Sequence, residues 1–349
     1  MSASRIVCPD CESEFSSVTR RDFIRVTSAG AAAAAVAGPS LLRAADEKAA
    51  TPETLTKKFF DSLSESQRAA VCFDWDYVDE KRKFGTLRTR VANNWHITPQ
   101  TINSDFYTKD QRELAYAIWQ GIIHPDWHKR VQKQIEGDNN GPWGASQNIA
   151  IFGKPGDGKF ELVMTGRHMT VRCDGNSTEH VAFGGPIFYG HAAEGFDEKP
   201  SHPGNVYWEQ ALEANKVYAV LDGKQRSKAE VPSTPIEQKV GFKGEKGPFP
   251  GVPMAELTAD QKAQVQKTLQ KLIEPYRQGD RDEVLACLKA QGGLDKCSLA
   301  FYTDEDLGDD KVFDNWRLEG PSFVWYFRGS PHVHVWVNVA ADPSVQTNA

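Results

Sequence analysis

His332-Val333-His334 places two imidazoles two residues apart near the end of the chain. In an extended strand, residues i and i+2 point to the same face. His332 and His334 therefore share a face with Trp336 and Asn338, while Val333, Val335, Val337 and Val339 share the other. The valines mark the core side, and the imidazoles line either solvent or a cavity with an aromatic wall. Two neutral imidazoles on one strand face can chelate a divalent ion, and a complete site needs further ligands. His168, in Gly166-Arg167-His168-Met169-Thr170, is a third candidate. Strict alternation puts it on the inward face with Phe160, Leu162 and Met164, where a histidine is ordinarily a hydrogen-bonded core residue unless it meets the pair.

His96 and His191 are further candidates. His124 and His128 have the i, i+4 spacing of a helical zinc pair, but His124 precedes Pro125 and reads as a helix cap, and no HExxH accompanies them. Glu319, in Glu319-Gly320-Pro321, precedes the last hairpin and is the first choice for a general base beside the His pair. Arg167 could bind an anion. Asp74, Asp76 and Asp79 lack the glycine and closing glutamate of an EF-hand. Residues 46–349 hold no GxSxG, P-loop, GxGxxG or paired CxxC, so the common hydrolase and nucleotide-binding motifs are absent.

The elements that must position these residues are legible from caps and periodicity. Ser64-Glu-Ser-Gln67, Thr108-Lys-Asp-Gln111 and Thr258-Ala-Asp-Gln261 are capping boxes, each preceded by an apolar or aromatic residue that fits a hydrophobic staple. They predict helices starting near 64, 108 and 258. Further helices are expected over 52–62, from Pro125, and from Arg281 to Lys289. The spacing is too irregular for a solenoid. Strands are expected over 148–152, along an alternating run from Phe160 to Cys173, at Val181–Phe183, Ile187–Tyr189 and Val217–Leu221, and in a hairpin of 323–327 with 332–339. Residues 229–253 hold five Pro and four Gly and read as a long loop or linker. Helices and strands segregate along the chain, which predicts an α+β fold: a mostly antiparallel sheet with helices packed on it, forming a single domain over 46–349.

The 349 residues are 25% charged with a formal net charge of −6, and lack the basic footprint of a nucleic-acid binder. Thr19-Arg20-Arg21-Asp22-Phe23-Ile24-Arg25, the apolar run Ala29–Ala37 and the small residues around Ala44-Ala45 read as a twin-arginine signal peptide over 1–45. The run is too short for a transmembrane anchor. The expected partner is the twin-arginine translocase, and the expected location is periplasmic or extracellular, with no stable membrane anchor. Cys8 and Cys11 form a lone CxxC. Cys72, Cys173, Cys287 and Cys297 follow the signal, and a turn at Gly292-Gly293 could bring Cys287 and Cys297 together as a disulfide, although spacing leaves the pairing open.

Leu63-Ser-Glu-Ser-Gln-Arg-Ala-Ala, Asn94-Trp95-His96, the capping box at Thr108, Gly166-Arg-His168-Met-Thr, Gly185-Pro-Ile-Phe-Tyr-Gly190, and Glu319-Gly320-Pro321 leading to His332-Val-His334-Val-Trp336 occur in one order. That order resembles the "domain of unknown function 3500" family over about residues 52–342. The family often has a second His where Arg167 stands, and an Arg-Asp-Pro and Asp-Tyr-Gly after its HxH that this chain lacks. The resemblance implies no activity. It singles out His96, His168, His332 and His334. The leading expectation is a metal site of His168, His332 and His334 with His96 as fourth ligand, holding Zn or Cu, in an exported protein that could be a metal-dependent enzyme. The alternative is a metal-free small-ligand-binding module of the cell envelope, with Trp336 beside its pocket. An envelope protein with a purely interacting role is a third reading.

Overall fold

Four capping boxes set where four of the helices begin. A computed structural model describes residues 50–192, 205–306 and 310–347. Residues 1–49, which include the segment read as a signal peptide with Cys8 and Cys11, and also His202 lie outside the described residues. Ser64 caps α2 (Glu65–Val71), Thr108 caps α3 (Lys109–Ile122) and Thr258 caps α7 (Ala259–Ile273), each with the hydroxyl on the N3 amide and the glutamine returning to the cap amide. The fourth box, Asp222 with Gln225, opens α6 (Gly223–Ala229). The box glutamines also pair across helices. Gln67 and Gln111 exchange bonds of 2.9 and 3.0 Å, and Gln225 and Gln261 bonds of 3.1 and 2.7 Å. The remaining helices are α1 (Pro52–Ser62), α4 (His128–Asn139), α5 (Trp208–Ala219) and α8 (Gln278–Ala290). A single 3-10 turn from Pro125 precedes α4, and His124 caps that turn through Nδ1, 3.3 Å from the Asp126 amide.

One open sheet of eleven strands runs through the molecule, mostly antiparallel, and the fold is α+β. Its strands are β1 (Cys72–Phe73), β4 (Asn148–Gly153), β5 (Phe160–Gly166), β6 (Met169–Cys173), β7 (Ile187–His191), β8 (Glu230–Val231), β9 (Val252–Pro253), β10 (Ser298–Tyr302), β11 (Asn315–Gly320), β12 (Phe323–Arg328) and β13 (Val333–Val339), with β2 (Val78–Asp79) and β3 (Gly85–Thr86) forming a separate ladder. The order β1-β4-β5-β6-β7-β13-β12-β11-β10-β8 is a topological palindrome about the β7–β13 pair. Each half supplies a short strand parallel to its neighbour, β1 on β4 and β8 on β10, and then a four-stranded antiparallel meander. Each half begins with matching helices: α1 packs on α3, and α5 on α7. The two halves also meet where their helices turn, with the His124 amide on the Pro275 carbonyl and the Arg277 amide on the Ile122 carbonyl. The chain thus carries one architecture twice.

The faces of β13 separate as its alternation requires. Val333, Val335, Val337 and Val339 join the large core under the helices, with Trp119, Leu272 and Trp325. The other face is not solvated. Two irregular segments cover it, residues 74–101 in the first half and 232–251 in the second. Leu87, Trp95 and Ile97 of the first cover pack on Ala150, Phe152 and Val163, while Val91 and Val240 pack on Phe188, Tyr326 and Trp336. Buried cations tie both covers down. Arg172 pairs with Glu161 at 2.7 Å and donates to the Arg90 carbonyl at 2.7 Å; Arg317 pairs with Glu319 at 2.6 Å and donates to the Lys239 carbonyl at 3.0 Å.

Several expectations need correction. The run Phe160–Cys173 is two strands, because the pairing of Gly166 with Met169 turns the chain at Arg167-His168, where His168 takes φ +53°. That turn lacks the Asn-Gly signal that announces a tight hairpin. Val217–Leu221 lies at the end of α5, since Val217 faces the helix core at one turn from Ala214. Val181–Phe183 leads into a 3-10 turn with Phe183 at φ +62°. Residues 229–253 also hold the end of α6 and the short strands β8 and β9, and the loop between them, 232–251, covers the sheet. The four cysteines among the described residues, Cys72, Cys173, Cys287 and Cys297, are free. Gly292 and Gly293, at φ +110° and +77°, end α8 and send Cys297 to Gln291, 3.3 Å away, while the Cys287 thiol faces the His180 carbonyl. Among the described residues no helix is long and apolar enough to cross a membrane.

Candidate metal centre

Three elements bring three imidazoles to one point. β13 presents His332 and His334 on its covered face, and the β5–β6 turn presents His168. All three are at most 1% exposed. Had alternation continued from β5, His168 would have faced the helices. The turn at φ +53°, anchored by the His168 amide on the Asn93 carbonyl at 3.1 Å, swings its ring along the end of β7 toward His334. Gly190, paired with His334 in the sheet, makes this possible. A Cβ there would lie 3.3 Å from His168 Cδ2 and 2.2 Å from the Val333 carbonyl oxygen.

The three Nε2 atoms form a triangle with edges of 3.0 Å (His168–His334), 3.2 Å (His168–His332) and 2.7 Å (His332–His334). Two of the three rings are oriented from behind. His168 Nδ1 lies 2.7 Å from Asp138 Oδ2, and His334 Nδ1 lies 2.9 Å from Glu237 Oε2. Asp138 is held in turn by Gln134 at 2.7 Å and the Ala192 amide at 2.8 Å, and Glu237 by the Arg328 guanidinium. A carboxylate only accepts, so it assigns the proton to Nδ1 and leaves the lone pair on Nε2.

The electrostatics favour the neutral forms of His168 and His332. Burial pushes His168 down to about 4, although Asp138 pulls the other way. Burial and the two neighbouring imidazoles push His332 far below the usual range. Burial opposes ionisation of Asp138, but the adjoining His168 and His191 outweigh it and hold the carboxyl below its ordinary value. The two nitrogens fixed as acceptors, His168 Nε2 and His334 Nε2, repel one another at 3.0 Å unless a cation or a donated proton lies between them. Tetrahedral coordination at ordinary zinc–nitrogen lengths spaces such atoms by about 3.3 Å. The observed triangle is a few tenths of an ångström tighter, which a small outward relaxation would absorb. These three histidines could hold a metal ion, and they are the one such group of His, Cys, Asp and Glu among the described residues.

The other candidates lie elsewhere. His96 does not join the triad. Trp95 and Ile97, on either side of it, are turned into the sheet, with Trp95 Nε1 on Thr170 at 2.9 Å and the Ile97 amide on Thr165 at 3.0 Å. His96 between them is held with its carbonyl on Arg82 at 3.0 Å. Glu319 shares the covered face, but it lies two strands across and four residues along from His334, on the order of 15 Å at ordinary strand spacing. Both its oxygens are occupied, by Arg317 at 2.6 Å and Lys243 at 2.9 Å. Trp336 is fully buried with its ring 4.7 Å from that of Phe188, so the wall of a ligand pocket is here a packed core. Asp79 is engaged with Arg82 at 2.7 Å. His128 Nε2 donates to the Gln120 and Ile123 carbonyls. His191 is buried with Nδ1 3.7 Å from Asp138.

Sequence reasoning missed Asp138 and Glu237. Asp138 carried a signal: it is an acidic residue in the last turn of a helix whose last turn has no basic residue, against the helix dipole. Glu237 sits in a Pro- and Gly-rich stretch and carried none.

Fold and centre together define the class: an α+β protein of doubled architecture with a buried tri-histidine cluster at the seam of its halves. The chain matches the family described as "Protein of unknown function (DUF3500)" over residues 45–340, and it belongs to that family. No curated protein and no solved structure matches it.

Proposed function

We propose that this chain is an exported protein that binds a single divalent metal through His168, His332 and His334. The observation that carries the reading is the convergence of three Nε2 atoms, two of them on rings whose Nδ1 is backed by a carboxylate. Carboxylate–histidine–metal triads are built in this way, and such outer partners orient the ring and raise its basicity. Nitrogen-only ligands suit Zn or Cu. Three protein ligands leave a coordination position of the kind catalytic zinc sites keep open. Zinc there would act as a Lewis acid and copper would carry electrons. Asp138 and Glu237 are committed to orienting the rings, so the reading is metal binding first, with catalysis dependent on what reaches the remaining position. Export is supported by Thr19–Arg25 and the apolar run behind it.

One preparation tests both halves of the proposal. The full chain is expressed with its signal, recovered from the periplasmic or culture fraction, and analysed for metal beside His332→Ala/His334→Ala. About one ion per chain is expected in the wild type and almost none in the variant. Equal metal in the two proteins would end the metal assignment, and retention of the chain in the cytoplasm would end the export assignment.

A further inference from the structure

The three imidazoles are closed to solvent, so an ion or substrate can reach them only if some neighbouring element moves. β13 and β7 are at the centre of the sheet, and the β5–β6 turn is tied to Asn93 and, through Asp138, to α4. Among the described residues that leaves the two covers, which occupy equivalent places in the two halves but are seated very differently. In the first, Leu87, Arg88, Thr89, Val91, Trp95 and Ile97 are all buried. In the second, only Glu237 and Val240 are buried between residues 232 and 250. Polar contacts do the rest: Thr234 on Asp304 at 2.7 Å, the Tyr326 hydroxyl on the Pro235 carbonyl at 3.0 Å, Asn338 on the Val240 carbonyl at 3.0 Å and Lys243 on Glu319 at 2.9 Å. Few buried apolar contacts and no regular structure are the marks of a segment that opens at low free-energy cost.

We propose that the 232–251 cover is the gate of the tri-histidine centre, and that Glu237 is the latch through which metal loading closes it. The inference rests on the metal-binding reading. Glu237 joins the cover to the centre through His334 Nδ1, and it is also gripped by Arg328. Coordination at Nε2 draws electron density from the imidazole and makes Nδ1–H a stronger donor, so the bond to Glu237 strengthens when the ion is present. Linkage makes the effect reciprocal: a closed cover holds the ion more tightly, and an open one releases it. The first cover makes no such contact through a carboxylate and stays shut in both states.

Hydrogen–deuterium exchange on the full chain tests this, comparing chelator-treated protein with the same protein given zinc ion alone, and measuring metal content on both samples. Loading is expected to slow exchange at least ten-fold in peptides covering 232–250, where the Lys239, Val240 and Gly244 amides are hydrogen-bonded, and to leave 87–98 unchanged. Glu237→Ala is expected to bind zinc more weakly and, once loaded at excess zinc, to lack that protection. Stoichiometric zinc with unaltered exchange in 232–250 would overturn the gate and leave the metal site standing. Failure of the wild type to take up zinc would overturn both.

Discussion

His168 Nε2 and His334 Nε2 face each other at 3.0 Å, and each has a carboxylate behind it that fixes it as an acceptor. Removing one of those carboxylate charges should therefore act on the ion rather than on the fold. Asp138→Asn retains an oxygen that can accept from His168 Nδ1 but not the charge, and metal affinity is expected to fall about ten- to a hundred-fold. Competition against a chelator of known affinity measures it, and an affinity unchanged within two-fold would show that Asp138 does not tune the centre. At this scale the sequence was partly transparent. His332 and His334 announced themselves because strand alternation is a local rule. His168 was visible as a candidate for the wrong geometric reason, since its ring reaches the centre only by breaking that alternation.

Among the elements, the approach of the β5–β6 turn to β7 and β13 is the contact on which the centre depends. Gly190 is the residue that permits it. Gly190→Ala would drive a methyl to within 2.2 Å of the Val333 carbonyl oxygen, which is backbone in the middle of the sheet and cannot swing aside. The expected destabilisation is about 2–3 kcal/mol, the upper part of the range for overpacking a well-filled core, with loss of metal because β7 and β13 part where His334 is paired. Urea unfolding and metal analysis read the two effects, and a variant of wild-type stability would show that the sheet can open there at little cost. Helix starts were legible because a capping box needs only four residues, and Asp222 with Gln225 escaped only through its aspartate cap. The covers were not legible. Their residues are held by buried arginines and a carboxylate from distant strands, and nothing in a Pro- and Gly-rich stretch reveals what lies beneath it.

At the scale of the whole molecule, an acidic cluster at the start of α8 sets a pH dependence apart from the metal centre. Burial and the nearby Asp174 and Asp280 push Glu283 up to about 7, and burial pushes Asp280 up to about 6 against the pull of Arg277. A carboxyl whose folded value is raised favours the folded state while it stays protonated. Its contribution is therefore lost as pH rises from about 4.5, where the unfolded chain ionises, to about 7. Glu283→Gln keeps an oxygen for the Phe183 amide, now 3.0 Å from Glu283 Oε2, and removes the charge. It is expected to raise Tm by about 2 °C at pH 8 and to change it little at pH 4. A variant less stable than wild type at pH 8 would show that the ionised carboxylate supports the fold.

The doubled architecture also belongs to this scale. Leu63 to Arg68 and Leu221 to Arg226 each run from Leu to Gln-Arg around a cap, and Thr108-Lys-Asp-Gln111 and Thr258-Ala-Asp-Gln261 mark the same helix in each half. The four boxes are local signals, and their meaning as a repeat emerges only when the palindromic strand order is seen.

By itself, the amino-acid sequence determined what depends on near neighbours: where helices start, which side of β13 carries valines and which histidines, and the α+β class that follows from segregated elements. Only the tertiary structure decided that the histidine face is covered, that a turn at positive φ delivers His168 to it, that Asp138 and Glu237 stand behind the rings, and that His96 and Glu319 do not reach them. The reason is range. Caps and alternation act over a few residues, whereas the triad joins residues 168 and 334 across a sheet whose pairing is set by the summed burial of both halves.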